Sequence, residues 1–293
     1  MLNPQYITHS STRVAKAVEF VSAQLLDDSD TRKSCRLDDF GRDQIASLRV
    51  SEVSRSTAMK SGLSAAIFQV LAAADSFLRV GRNVAFALLH TDEVPDYPLT
   101  SSEACVLSSR VSKRTRHRFA LGRAAAHLAL EHLGIERSFP ILRGQDGEPL
   151  WPAGVAGSIS HCDPWTVAVA ATGPGRFTLG IDLESIVKVS EFDISQLLCS
   201  EKEIDWVKAG DDSERRLALL FSAKEATYKA FYPLCHRYID FKEVTLSPHV
   251  KEESFRGELI TPINVYLPAG ASFQVRCRCY GDLVFSYIDH VIG

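Results

Sequence analysis

The 293-residue sequence has no C-x-x-C pair among its seven cysteines, which stand at 35, 105, 162, 199, 235, 277 and 279. With an odd count at irregular spacing, that absence argues against a structural zinc site and for reduced thiols in a cytoplasmic protein. Net charge is also scarce. Lys and Arg number 33 against 36 Asp and Glu, leaving −3, so no global field draws the chain to nucleic acid or an anionic membrane. Any polyanion must be bound locally. No run approaches the roughly 20 apolar residues of a membrane span, and the first thirty residues lack the apolar core of a secretory signal. There is no glycine-rich phosphate loop before a helix, and G-x-S-x-G is missing, which argues against a serine hydrolase of that type. What is present is a 45% hydrophobic content, ordinary for a soluble globule, and enough length for two domains.

Two stretches carry chemistry. Phe221 to Phe231, FSAKEATYKAF, is rich in helix formers and free of Gly and Pro. At 100° per residue Leu217, Leu220, Tyr228 and Phe231 share one side, and Ser222, Glu225 and Lys229 the other. Read alone, Glu225 and Lys229 at i,i+4 are a surface ion pair worth a few tenths of a kcal/mol. Lys224 falls inside the apolar sector, where a lysine must snorkel or meet an anion. The second stretch, Phe177 to Glu184, alternates strictly, with Phe177, Leu179, Ile181 and Leu183 on one face and Thr178, Gly180, Asp182 and Glu184 on the other. Two carboxylates therefore project side by side from one strand. Such a pair suits a hard cation that also takes phosphate oxygens, as Mg²⁺ does.

Together these blocks, GID-x-E and FSAKEATYKA about forty residues later, resemble the 4′-phosphopantetheinyl transferases of the surfactin and enterobactin synthetase type. GSISHC at Gly157 to Cys162 matches a third block, and PLWPAGVAGSISHC at Pro149 to Cys162 is similar to the enterobactin branch. The resemblance implies transfer of 4′-phosphopantetheine from coenzyme A to a serine of an apo carrier protein, Mg²⁺-dependent, with release of adenosine 3′,5′-bisphosphate. It implies Asp182, Glu184 and Glu225 as metal ligands, Glu225 and Lys229 as catalytic groups, and Lys224 and Lys229 facing the phosphates. Ser160 and His161 match the block that contacts coenzyme A. In the RHRFALGR segment, Arg118 is the best match to the basic residue that meets the 3′-phosphate end, and Arg123 the second choice. Some relatives place a phosphate-binding lysine where this chain has Glu148. The implied carriers are peptidyl or aryl carriers of siderophore or other nonribosomal pathways, with a monomeric enzyme. The alternatives are a non-catalytic coenzyme A- or nucleotide-binding module and a nucleic-acid binder through the basic run Lys113, Arg114, Arg116, His117, Arg118.

The fold class expected is α+β, as two similar α/β halves forming the pseudo-dimer of this family, with an N-terminal helical extension. The divisions are 1–80, 81–174 and 175–293, with Gly173 to Gly175 as the boundary between halves. Helices are expected over Val14–Leu26, Met59–Arg79 and Ser109–Leu133, and a helical region from Ile194 leads into the FSAKE helix. Expected strands cover Val84–His90, Ala104–Leu107, Pro140–Leu142, Val155–His161, Trp165–Thr172, Phe241–Leu246, Glu258–Ile260, Ile263–Leu267, Phe273–Tyr280 and Leu283–Ile288. The segment 1–80 lies upstream of the resemblance and suggests no chemistry.

Overall fold

The computed structural model describes residues 48–51, 58–72, 83–93, 98–107, 110–192, 194–249 and 254–292. The helix expected over Val14–Leu26 lies outside them. In chain order the first part supplies β1 (Leu48–Ser51), α1 (Ala58–Ala72), β2 (Asn83–His90), α2 (Ser101–Val106), α3 (Lys113–His132), the two-residue strands β3 (Leu142–Arg143) and β4 (Pro149–Leu150), β5 (Val155–Cys162) and β6 (Trp165–Thr172). The rest supplies β7 (Arg176–Ser185), α4 (Ile186–Ser190), α5 (Ser195–Leu198), α6 (Glu201–Lys208), α7 (Ser213–Cys235), β8 (Val244–His249), β9 (Ser254–Leu259), β10 (Ser272–Tyr280) and β11 (Leu283–Ile292).

The result is mixed α/β, built on two sheets. One runs β1-β2-β6-β5 and the other β7-β11-β10-β9-β8. The second is antiparallel throughout, while in the first only β1 runs parallel to its neighbour β2. The chain passes from one sheet to the other across Gly173–Gly175. The edge strands β5 and β7 lie side by side, so the sheets meet there. No helix among the described residues is long and apolar enough to cross a membrane.

Alternation in β7 sets the layering. Leu179, Ile181 and Leu183 enter a core with Phe86 and Val167 of the first sheet and Phe285 and Tyr287 of β11. Each such buried side chain is worth about 1.5–3 kcal/mol. The opposite face turns to α7, which packs against β7 and β11. Gly180 makes that approach possible, since a Cβ there would stand 2.0 Å from the Ala226 carbonyl oxygen and 2.6 Å from the Ala230 nitrogen. Beside it the Thr178 hydroxyl donates to the Ala230 carbonyl. Helix backbone thus lies directly on strand backbone, bringing residues 225 and 229 within reach of residue 182.

Two expectations are corrected. Ala104–Leu107 is not a strand, because Thr100 opens α2 with a reciprocal cap: its hydroxyl accepts from Glu103 N at 3.2 Å and Glu103 Oε2 accepts from Thr100 N at 3.0 Å. Ile263–Leu267 forms only a tight turn, in which the Asn264 side chain accepts from the backbone of Tyr266 and Leu267. Before residue 80, Leu63, Ile67, Val70 and Leu71 of α1 are buried in the same core as β7.

Candidate active site

A cavity of about 240 Å³ opens where β5, β7 and α7 converge, lined by Arg118, Ser160, His161, Asp182, Glu184, Lys188, Glu225 and Lys229 among others. Each element delivers its residues through a local rule. Period two on β7 sends Asp182 and Glu184 to the side of α7, and one turn of helix carries both Glu225 and Lys229 to the facing side. The Lys229 ammonium meets Asp182 Oδ1 at 2.6 Å and Ser160 Oγ at 3.2 Å. It does not close on Glu225, so the i,i+4 pair is not the contact these residues make.

The electrostatics follow from three carboxylates in one partly desolvated cavity. Burial and the Asp182 charge push Glu184 well above the usual carboxylate range, with Lys229 opposing. Burial likewise raises Glu225 to about 7, with Lys229 opposing and Asp182 adding to the shift. For Lys229 burial works against the ammonium, yet Asp182 and Glu225 outweigh it and hold the lysine more firmly charged than usual. Asp182 is 1% exposed, and its Oδ2 is buried and accepts no hydrogen bond from the described residues.

Arg118 faces this cavity, flanked by Asp163 and Glu184. His161 is held neutral, its pKa driven well below the imidazole range by burial and by Arg118, Lys229 and Arg123. Its Nδ1 lies 3.0 Å from the Thr166 hydroxyl. On the other side the ring packs beneath α3 at Gly122, where a Cβ would come within 2.9 Å of Nε2. The glycine inside RHRFALGR therefore makes room for the histidine of GSISHC.

Two residues expected to meet the cofactor are placed elsewhere. Lys224 is 2% exposed, with Nζ donating to Leu198 O at 2.8 Å, Glu203 Oε2 at 2.9 Å and Phe241 O at 2.8 Å. An ammonium has three protons, and all three are used. The anion that its apolar setting demanded is Glu203, 21 residues earlier, rather than a phosphate. Arg123 is buried in α3, donates to Leu142 O at 3.1 Å and stacks over Phe119, outside the cavity wall. Glu148 also stays away, folded over Gly144 with Oε2 accepting from Asp146 N.

One cavity residue escaped the sequence reading. Lys188 sits in the first turn of α4, where the Ser185 hydroxyl accepts from its backbone nitrogen at 3.1 Å. Its ammonium reaches the Asp163 carbonyl, at 3.5 Å. A serine directly after an alternating strand is a helix-start signal, and Lys188 is three residues on.

The chain is similar in sequence to known proteins. The family profile "4′-phosphopantetheinyl transferase N-terminal domain" matches residues 101–171, and "4′-phosphopantetheinyl transferase superfamily" matches 178–271. A 4′-phosphopantetheinyl transferase of Nocardia iowensis is 33% identical over 195 residues, covering 64% of this chain and 85% of that protein. One from Mycobacterium tuberculosis is 31% identical over 184 residues, covering 63% and 80%. The chain belongs to the 4′-phosphopantetheinyl transferase family. Enterobactin synthase component D of Salmonella typhimurium is also similar, at 39% identity over 129 residues, 43% of this transferase and 51% of that protein. The two profiles divide the transferase between Ala171 and Thr178, where it passes from the first sheet to the second. The enzyme transfers phosphopantetheine to carrier proteins, which excludes the binding-module and nucleic-acid readings as its main function.

Proposed function

We propose that this transferase is built as two related α/β halves, 81–174 and 175–293, and moves 4′-phosphopantetheine from coenzyme A to a carrier serine at the seam between them. The observation that carries the reading is the convergence of Asp182, Glu184 and Glu225 with Lys229 on one cavity. Its volume suits the reacting pyrophosphate, with the remainder of coenzyme A lying along the surface outside.

The residues fit Mg²⁺. Asp182 Oδ2 is buried and unused, and burial first, then the Asp182 charge, raises the proton affinities of Glu184 and Glu225, a cost that a divalent cation would offset. Among the described residues no three His, Cys, Asp or Glu side chains are grouped to hold a metal by themselves, so substrate phosphate oxygens and water would complete the shell. Asp182, Glu184 and Glu225 would hold it, and when bound it supplies charge stabilisation to the phosphoryl oxygens.

The remaining steps belong to the chain. Arg118 and neutral His161 sit on one side of the cavity to receive phosphate oxygens, with Lys188 as a further cation. The carrier serine Oγ attacks the β-phosphorus, the bond to the departing phosphate oxygen breaks, and adenosine 3′,5′-bisphosphate leaves. Glu225, facing the cavity from α7, accepts the serine proton directly or through water. The Lys229 ammonium stabilises the charge that gathers on the phosphoryl group. Resemblance to the enterobactin synthase components supports a peptidyl or aryl carrier as substrate. Free thiols at every described cysteine fit a cytoplasmic enzyme, and two halves in one chain fit a monomer.

The test is to incubate the protein with coenzyme A, Mg²⁺ and an apo carrier and weigh the carrier. One added phosphopantetheine, abolished by EDTA and by Asp182→Asn, is the expected result. Transfer undiminished in either case overturns the metal assignment.

A further inference from the structure

The edges of β5 and β7 meet without a continuous backbone ladder between them; side chains make the connection. Ile181 N donates to Ser158 Oγ at 3.1 Å, and Leu183 N donates to Ser160 Oγ at 3.1 Å. Both serines are 4% exposed. Two hydroxyls at i,i+2 thus satisfy two amides at i,i+2 on the facing strand, joining the sheets where edge groups would otherwise be buried unpaired.

Only the second of these hydroxyls reaches the cavity. Ser160 Oγ donates to Asp182 Oδ1 at 2.9 Å and accepts from Leu183 N and from Lys229 Nζ at 3.2 Å. A hydroxyl has one proton and two acceptor positions, so this one is saturated and has no capacity for a phosphate oxygen. Asp182 Oδ1 is in turn engaged by Ser160 and Lys229, while Oδ2 accepts no bond from the described residues.

We propose that Ser160 is a positioning residue for Asp182: it fixes the carboxylate by one oxygen, with the other left for the cation, and does not itself bind coenzyme A through its hydroxyl. This rests on Asp182 as a metal ligand. Ser158 is the internal control, since it makes the same contact to the β7 backbone two residues away from that carboxylate.

The experiment uses the full chain, with Mn²⁺ as probe, titrated by electron paramagnetic resonance in the presence of coenzyme A, alongside thermal melts and the KM for coenzyme A. Ser160→Ala should weaken Mn²⁺ binding about 10-fold, the lower range for loss of a group that orients a metal ligand, with KM for coenzyme A within about twofold of wild type. Ser158→Ala should lose a similar amount of thermal stability and bind Mn²⁺ normally. Ser160→Thr keeps the hydroxyl on a backbone that favours β-branched side chains and should restore Mn²⁺ affinity. It also carries the test if the alanine variant does not fold. The proposal is overturned if Ser160→Ala raises KM for coenzyme A 10-fold with Mn²⁺ affinity intact, or if the threonine variant folds and binds Mn²⁺ 10-fold more weakly than wild type. Normal Mn²⁺ binding by Asp182→Asn would instead remove the metal assignment itself.

Discussion

Lys224→Met separates a structural lysine from a phosphate-binding one within the most recognisable motif of the chain. The wild-type ammonium gives one bond to each of Leu198 O, Glu203 Oε2 and Phe241 O and is sealed from water. Methionine fills similar volume but leaves the Glu203 carboxylate, 2% exposed, without its counter-charge and two carbonyls without their donor. Removing one partner of a buried pair costs about 3–5 kcal/mol. Here the lower end applies, because Glu203 keeps backbone donors from Ser200 and Leu246, each at 2.7 Å. At roughly 2–4 °C per kcal/mol, the melting temperature should fall on the order of 10 °C. Thermal and urea melts read this directly. Adding Glu203→Gln should recover part of the loss, since no buried charge is then left alone. Kinetics at a temperature where Lys224→Met is folded should show a near-normal KM for coenzyme A. A variant with wild-type stability and a KM raised 10-fold or more would refute the assignment and restore the lysine to the phosphates.

Glu225→Gln should fold normally and lose about 10²-fold or more in turnover, measured as carrier modification, whereas near-normal rates would remove it as base. Glu225 titrates at about 7 in the folded protein against an ordinary 4.5, so the folded state holds the extra proton between those values. Metal-free stability contributed by this group is therefore full below pH 4.5 and is lost as pH rises to about 7, and melts of Glu225→Gln across that window should be flatter. Gly180→Ala drives a methyl into the α7 backbone at 2.0 Å and should destabilise the fold by more than the ~1–3 kcal/mol typical of overpacking, read as a lowered melting temperature; an unchanged melt would refute the contact. A chain starting at Gly81 strips α1 from the core and should aggregate, while a soluble and active product would show α1 dispensable.

Much of the enzyme was legible because its periodicities are strong. Trp165–Thr172 is a strand over the residues that alternation marks, β7 extends only one residue beyond each end of Phe177–Glu184, and α3 lies within the predicted Ser109–Leu133. Asp182, Glu184, Glu225 and Lys229 reach one cavity as the spacing and the motif imply. Where local capping chemistry outweighed pattern the reading failed. Thr100 and Glu103 were an unread cap, and α2 stands where a strand was expected.

What the sequence determined is therefore which residues share a face, because period two and period 3.6 are properties of the backbone and need no neighbour. What only tertiary structure decided is what each face meets. Lys224 and Lys229 are five apart on one helix and carry the same charge, yet one is closed on Glu203 and the other reaches Asp182. Ser158 and Ser160 are two apart on one strand, yet only one touches a carboxylate. The partners lie 21 to 47 residues away in the chain, and their approach is set by how closely α7 packs on Gly180 and how β5 meets β7. Hydrogen bonds act over about 3 Å, so a partner's identity is fixed by that packing, which no local spacing encodes.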